Sequence, residues 1–207
     1  MAERTAACTA CHGTQGKAGP DGYYPRLAGK PAGYLYNQLR NFQEGRRHYT
    51  LMAGLLAPLG PDYLRDMASY FSELDVPYPA PARSSASPAV LERGKTLVLH
   101  GDTALGVPAC VACHGSALTG VQPSTPGLLG LPRDYLNAQL GGWQNGQRRA
   151  HAPDCMAAIA RKLSADDVNA ASQWLSSQAP PSHTKPALQR PSAVAAALVL
   201  PPCGSAP

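Results

Sequence analysis

Two short stretches bring together residues that could do chemistry: Cys8-Thr9-Ala10-Cys11-His12 and Cys110-Val111-Ala112-Cys113-His114. Two thiols three positions apart, followed at once by an imidazole, form the attachment signature for covalent haem. On one turn of helix the thiols reach the two vinyl groups along one porphyrin edge. The histidine that follows then meets the iron as its proximal ligand. Two such pentapeptides predict two haems, anchored at Cys8, Cys11, Cys110 and Cys113 and ligated by His12 and His114. The competing uses of these residues are disulfides, a zinc site or a redox dithiol. Cys-x-x-Cys pairs are common around zinc, but these pairs lie 102 residues apart and each runs directly into His-Gly. A thioredoxin-like dithiol requires a neighbouring βαβ pattern, and none is visible.

A haem that only carries electrons has both axial positions filled, most often by a methionine sulfur opposite the histidine. The chain has four methionines, Met1, Met52, Met67 and Met156. Met52 and Met156 fall at matching places downstream of His12 and His114, in what reads as a loop between helices, and are the expected sixth ligands. Met67 sits among Tyr63, Leu64, Tyr70 and Phe71 and reads as core. Cys155, directly before Met156, is a rival, because a thiolate can bind ferric haem and lower its potential. Adjacent residues cannot both point at one iron, and the repeat favours Met156, which leaves Cys155 as a buried thiol. His48 and His151 lie in the same loops and are expected at the surface or against the propionates. His100 and His183 have no matching partner and are expected to be bystanders. Arg47 and Arg148 share one position in the two copies and are expected to pair with propionates or to lie solvated at the surface.

The elements that must hold these groups also come in two copies. Cys8 aligns with Cys110 at an offset of 102, and Leu27-Ala28-Gly29 with Leu128-Leu129-Gly130 at 101. Tyr34-Leu35, Gln38-Leu39, Phe42-Gln43, Gly45 and Arg47 follow at the same 101, onto Tyr135-Leu136, Gln139-Leu140, Trp143-Gln144, Gly146 and Arg148. Met52 and Tyr70-Phe71 match Met156 and Trp174-Leu175 at 104, so a three-residue insertion lies between Arg148 and Met156. Each copy reads as three helical pieces. Ser87-Pro88 opens the first helix of the second copy with an N-cap and an early proline; the first copy has only seven residues ahead of Cys8, so its opening helix is short or cut away. Apolar residues at spacings of three and four predict a helix from Pro31 to about Glu44, with a partner from Pro132 to about Asn145. The last piece runs from Pro61 to Leu74, and in the second copy it opens at Ser164 with an acidic first turn. The Tyr34/Tyr135 and Phe42/Trp143 pairs are expected to pack against haem or helices.

These boundaries divide the chain into a first domain (1–76), a Pro/Ser-rich linker (77–88), a second domain (89–178) and a Pro/Ala-rich tail (179–207). The tail is expected to lie over the surface or stay disordered, with Cys203 a leftover thiol placed incidentally. At 207 residues, with 6% aromatic and 15% charged residues but 21 Pro and 20 Gly, the chain is poor in core-forming side chains. Two small helical domains of this kind gain their missing apolar mass from a buried macrocycle. The formal charge of +5 falls once haem propionates are counted, and no basic run interleaved with aromatics points to nucleic acid. No apolar stretch reaches the ~18 residues of a membrane span; the most apolar late run, Val194 to Leu200, is far too short. No signal peptide precedes Cys8, although attachment of haem to two thiols takes place outside the bacterial cytoplasm, so a removed leader or a trimmed chain is expected.

Together these features resemble the two-haem class I cytochromes c of the cytochrome c4 type, found in bacterial periplasms. The likeness rests on both Cys-x-x-Cys-His-Gly motifs, the Tyr-Leu-x-x-Gln-Leu helices and the downstream methionines. Arg93-Gly94-Lys95 and the run Met156 to Ser164 add to it, and it covers about residues 5 to 178. The resemblance implies an all-α fold of two tandem class I cytochrome c domains related by internal duplication, each wrapping one covalent haem c. It also implies a periplasmic electron carrier between a dehydrogenase or quinol-oxidising complex and a terminal oxidase, with peripheral docking at a membrane complex. The departures are the missing first helix, Cys155, and the absence of a proline beside Met52. A rival reading, motivated by Cys155 alone, is a haem enzyme such as a thiosulfate dehydrogenase with a Cys-ligated second haem. A dihaem peroxidase is a third, which the paired methionines argue against.

Overall fold

The computed structural model describes residues 1, 3–19, 22–191 and 199–206. After a 3-10 turn at Glu3–Thr5, the first repeat contains α1 (Ala6–His12), α2 (Ala32–Gln43), α3 (Thr50–Leu56) and α4 (Pro61–Glu73). The second contains α5 (Pro88–Leu99), α6 (Val111–His114), a small hairpin of β1 (Gly120–Val121) and β2 (Thr125–Pro126), then α7 (Arg133–Gln144), α8 (Cys155–Ala160) and α9 (Ala165–Ser177). The hairpin is the one departure from an all-helical plan among the described residues.

Local chemistry explains most boundaries. Pro61 and Pro88 sit in the first turns of α4 and α5, where a missing N–H costs nothing. Ser164 and Asp167 form a reciprocal capping box at the start of α9. The long helices α2, α4, α7 and α9 fall within a residue or two of the expected spans. The methionine segments differ from the expectation of a loop: Met52 lies inside α3 and Met156 inside α8. Helices of seven and six residues are too short to show a clear apolar period; neighbours hold the C-terminal end of the first and both ends of the second.

In the first repeat α2 packs on α4, and in the second α9 packs on both α5 and α7. Gly94 of α5 is required by that contact, since a Cβ there would stand 2.1 Å from the Ala170 carbonyl oxygen. Arg93 beside it bridges Asp102 and Asp167, each at 2.8 Å. The Pro/Ser-rich connection is not free chain. Arg26 reaches back to the carbonyls of Val76 and Pro77, its guanidinium lies over the Tyr78 ring, and Ala82 N–H donates to the Ser176 carbonyl.

The described part of the tail lies over the surface of the second repeat, and one of its residues corrects a second expectation. Ala187 exchanges hydrogen bonds with the hairpin, donating to Gly120 O and accepting from Gln122 N–H, and Lys185 O accepts from the Thr119 hydroxyl. Cys203 is no leftover thiol, because it forms a disulfide with Cys155. The apolar run from Val194 onward lies outside the described residues as far as position 198.

Candidate functional site

His12 ends α1 and His114 ends α6, and both rings are buried. The His12 Nδ1–H donates to the Pro25 carbonyl at 2.8 Å, and the His114 Nδ1–H to the Pro126 carbonyl at 2.7 Å. A carbonyl oxygen can only accept, so each bond sets the tautomer and leaves Nε2 with its lone pair, the form that ligates a metal. Burial pushes both imidazoles below their usual range; Arg47 adds to this at His12, and Lys30 and Arg190 at His114. Both are therefore held neutral. The glycine after each histidine has positive φ, +76° at Gly13 and +85° at Gly115, which turns the chain sharply away from the ring. Pro25 and Pro126 were not singled out in the sequence, yet they stand at the repeat's own offset of 101.

All four motif cysteines are free thiols. Burial raises the Cys8 thiol, and burial with the neighbouring Cys113 pushes Cys110 up to about 12. Cys11 is exposed. No group of three or more His, Cys, Asp or Glu side chains gathers around a metal position among the described residues.

In each repeat one helix links the cysteine cluster to the methionine cluster. Leu35 of α2 packs in the group that includes Cys8 and Phe71, while Leu39 and Phe42 pack with Met52. Leu136 of α7 packs with Cys110 and Leu175, while Leu140 and Trp143 pack with Met156. The next residue anchors the methionine helix. Gln43 Nε2 donates to the carbonyls of Leu56 and Leu59, at 2.7 and 2.9 Å, and Gln144 Nε2 to those of Ala160 and Leu163, at 3.0 and 2.8 Å. In the first repeat Cys8, His12, Met52 and Met67 line one cavity of about 660 Å³.

Across the contact between repeats, Arg47 and Arg148 form a bridge with near two-fold symmetry. Arg47 donates to Gln38, Tyr135 and Gln139, and Arg148 donates to Gln139, Tyr34 and Gln38, all within 2.7–3.5 Å. Each guanidinium also stacks on an aromatic ring of its own repeat, Arg47 on Phe42 and Arg148 on Trp143. Burial and the nearby Arg47 depress the Arg148 guanidinium. Neither arginine has a carboxylate partner among the described residues. His48 is exposed, and His151 contacts Arg46 from the other repeat.

These features fit haem. The cavity is mostly apolar-lined and long enough to pass from Cys8 and His12 to Met52 and on to Arg47 and Arg148. Among the described residues the buried Trp143 Nε1–H has no acceptor, and the Arg148 guanidinium over its ring has no anion. A propionate would satisfy both, since leaving such groups unpaired is costly. Cys155 cannot be the buried thiol or the thiolate ligand considered from the sequence, because its sulfur is bonded to Cys203. The Cys-ligated enzyme reading thereby loses the residue that motivated it.

A fold of short helices around a Cys-x-x-Cys-His turn, with a methionine segment following, is that of the class I cytochromes c. The cytochrome c family model matches residues 4–74. A protein of Thiomonas intermedia (strain K12) named thiosulfate dehydrogenase electron acceptor is 39% identical over 183 residues, covering 88% of this chain and 82% of that protein. The crystal structure of reduced recombinant cytochrome c4 from Pseudomonas stutzeri superposes with a TM-score of 0.71 at 31% identity, over 85% of this chain and 95% of that one. The thiosulfate dehydrogenase TsdBA from Marichromatium purpuratum gives a TM-score of 0.75 at 31% identity. There the match covers 84% of this chain but spans only 38% of that chain's length. The chain belongs to the two-haem cytochrome c4-like family of cytochromes c. Its cofactor is covalently bound haem c, its role is electron transfer, and no helix among the described residues is long and apolar enough to cross a membrane.

Proposed function

We propose that the protein is a periplasmic one-electron carrier that accepts electrons from a thiosulfate-oxidising dehydrogenase and delivers them to a terminal oxidase or comparable acceptor. One haem belongs to each of two domains, 1–76 and 89–178, joined by 77–88 and followed by the tail at 179–207. The observation that carries this reading is found in both repeats. A buried, neutral histidine is fixed through Nδ1, and a methionine is held on a short helix tied down by a glutamine.

When bound, the haem supplies reversible one-electron chemistry at its iron. Cys8 and Cys11, and Cys110 and Cys113, would anchor it through thioethers. His12 and His114 would offer Nε2 to the iron, and Met52 and Met156 would offer sulfur. Arg47, Arg148 and Trp143, at the contact between repeats, would be the donors for the propionates. The donor assignment is supported by the 39% identity to a protein named for accepting electrons from thiosulfate dehydrogenase.

Stopped-flow mixing of the ferric holoprotein with thiosulfate and a thiosulfate dehydrogenase tests the donor. Fast reduction that depends on the enzyme is expected, with none from thiosulfate alone. Reduction no faster than that of an unrelated c-type cytochrome would remove this donor, and reduction by thiosulfate alone would make the protein itself an enzyme.

A further inference from the structure

We propose that the Cys155–Cys203 disulfide turns the C-terminal segment into a brace for the second methionine, so that Cys203 is a positioning residue for the axial ligand of the second haem and the first haem has no counterpart. This rests on the reading that Met156 ligates that iron.

The disulfide joins residues 48 apart in sequence, and one of its two cysteines is the immediate neighbour of Met156. The segment around Cys203 is seated on the same loop by other bonds. Gly204 N–H donates to the Pro153 carbonyl at 2.9 Å, and His151 N–H donates to the Ser205 hydroxyl at 3.2 Å. Ser205 O accepts from Asn37 of α2 at 3.3 Å, so the brace also reaches the first repeat. Asp154 completes the arrangement, its carboxylate accepting from Ala157 N–H at 3.0 Å and Ala150 N–H at 2.7 Å.

A helix of six residues has little stability of its own, and its position is set by what holds its two ends. The C-terminal end of α8 is held by Gln144, and its N-terminal end by Asp154 and the disulfide. In the first repeat Gln43 holds the end of α3 in the same way, but no side chain caps its start. There the residue matching Cys155 is Leu51, which is 66% exposed. An iron–sulfur bond to methionine breaks when the segment bearing the sulfur swings away. A crosslink across the loop removes conformations from that open state and so makes opening rarer.

The test is carbon monoxide binding to the ferrous holoprotein, followed by stopped flow, for the parent, Met156→Ala and the double variant C155S/C203S. Met156→Ala identifies the second haem's signal by opening it permanently. If it leaves both haems closed to carbon monoxide, the ligation reading itself fails. With that control in place, C155S/C203S is expected to bind carbon monoxide at the second haem about tenfold faster than the parent, the equivalent of about 1.4 kcal/mol, with the first haem unchanged. Parent-like kinetics in C155S/C203S, beside an open Met156→Ala, would overturn the brace. If the double variant does not retain its haems, the ferrous parent is treated with dithiothreitol until two new thiols titrate. Acceleration at the second haem then supports the proposal, and unchanged kinetics overturns it.

Discussion

Ahead of its methionine the first repeat exposes Leu51, and the second carries Cys155 locked to Cys203. The contrast extends outward. Leu55 (41% exposed) and Tyr23 (60%) leave the first cavity with an open apolar rim. The second repeat is buttressed by α5 lying across α9, by Arg93 between two aspartates, and by the tail along the hairpin. Within the sites the two copies stay close. Pro25 and Pro126, Gln43 and Gln144, and Arg47 and Arg148 hold equivalent bonds, and the main difference is Trp143 in place of Phe42. The residues that fix each histidine and each methionine helix make the same bonds in both copies. The copies diverge in what surrounds these residues: α5, the hairpin and the tail belong to the second repeat alone among the described residues.

The largest expected effect separates the copies completely. C110S/C113S should carry one haem per chain, in the first repeat, and C8S/C11S one in the second, as measured by haem-to-protein ratio with mass spectrometry. A variant with both haems still attached would break the assignment. Next, Met52→Ala should open the first haem to carbon monoxide and lower its potential, while the second keeps its methionine–iron band in the near-infrared; an unchanged spectrum would remove Met52 as ligand. Arg148→Gln should cost the holoprotein about 2–3 kcal/mol in thermal unfolding, because charged hydrogen bonds across the repeats are lost. Arg47→Gln should cost less, since the Arg47 side chain is more exposed and stacks on Phe42 rather than on an unsatisfied Trp143. Gln43→Ala should cost about 1–2 kcal/mol and speed ligand entry at the first haem. Gln144→Ala should do so less at the second, where Asp154 and the disulfide also hold the helix.

The smallest effect is one of pH. Arg93 holds the Asp102 carboxyl below its usual range. Burial alone would raise Asp167, but Arg93 and Ser164 bring it below as well. Carboxyls depressed in the folded state add stability above their unfolded pKa, and it is lost as pH falls through the folded one. Arg93→Gln should therefore be less stable than the parent at neutral pH, with the difference fading in acid below the carboxylate range. A difference that stays constant across that range would mean that Arg93 acts by packing alone.

Much of this was legible in the chain because its signals are local. Cys-x-x-Cys-His is a one-turn constellation, and the apolar spacing of α2 and α7 shows within a dozen residues. The duplication is an alignment of the chain with itself. Pro25 and Pro126 also stand at the repeat's offset of 101, although nothing in a proline announces that its carbonyl will meet an imidazole. The methionine helices carry no such local signal, because so short a segment takes its conformation from the groups that bind its ends.

The sequence by itself determined the cofactor chemistry, the two-fold repetition and the helices that carry it, since each depends on neighbours a few residues apart. Only the tertiary structure decided what Cys155 and Cys203 do and where the arginines point. A disulfide across 48 residues and a guanidinium pair spanning 101 arise when distant segments meet. Those meetings depend on how the whole chain packs, which no local pattern encodes.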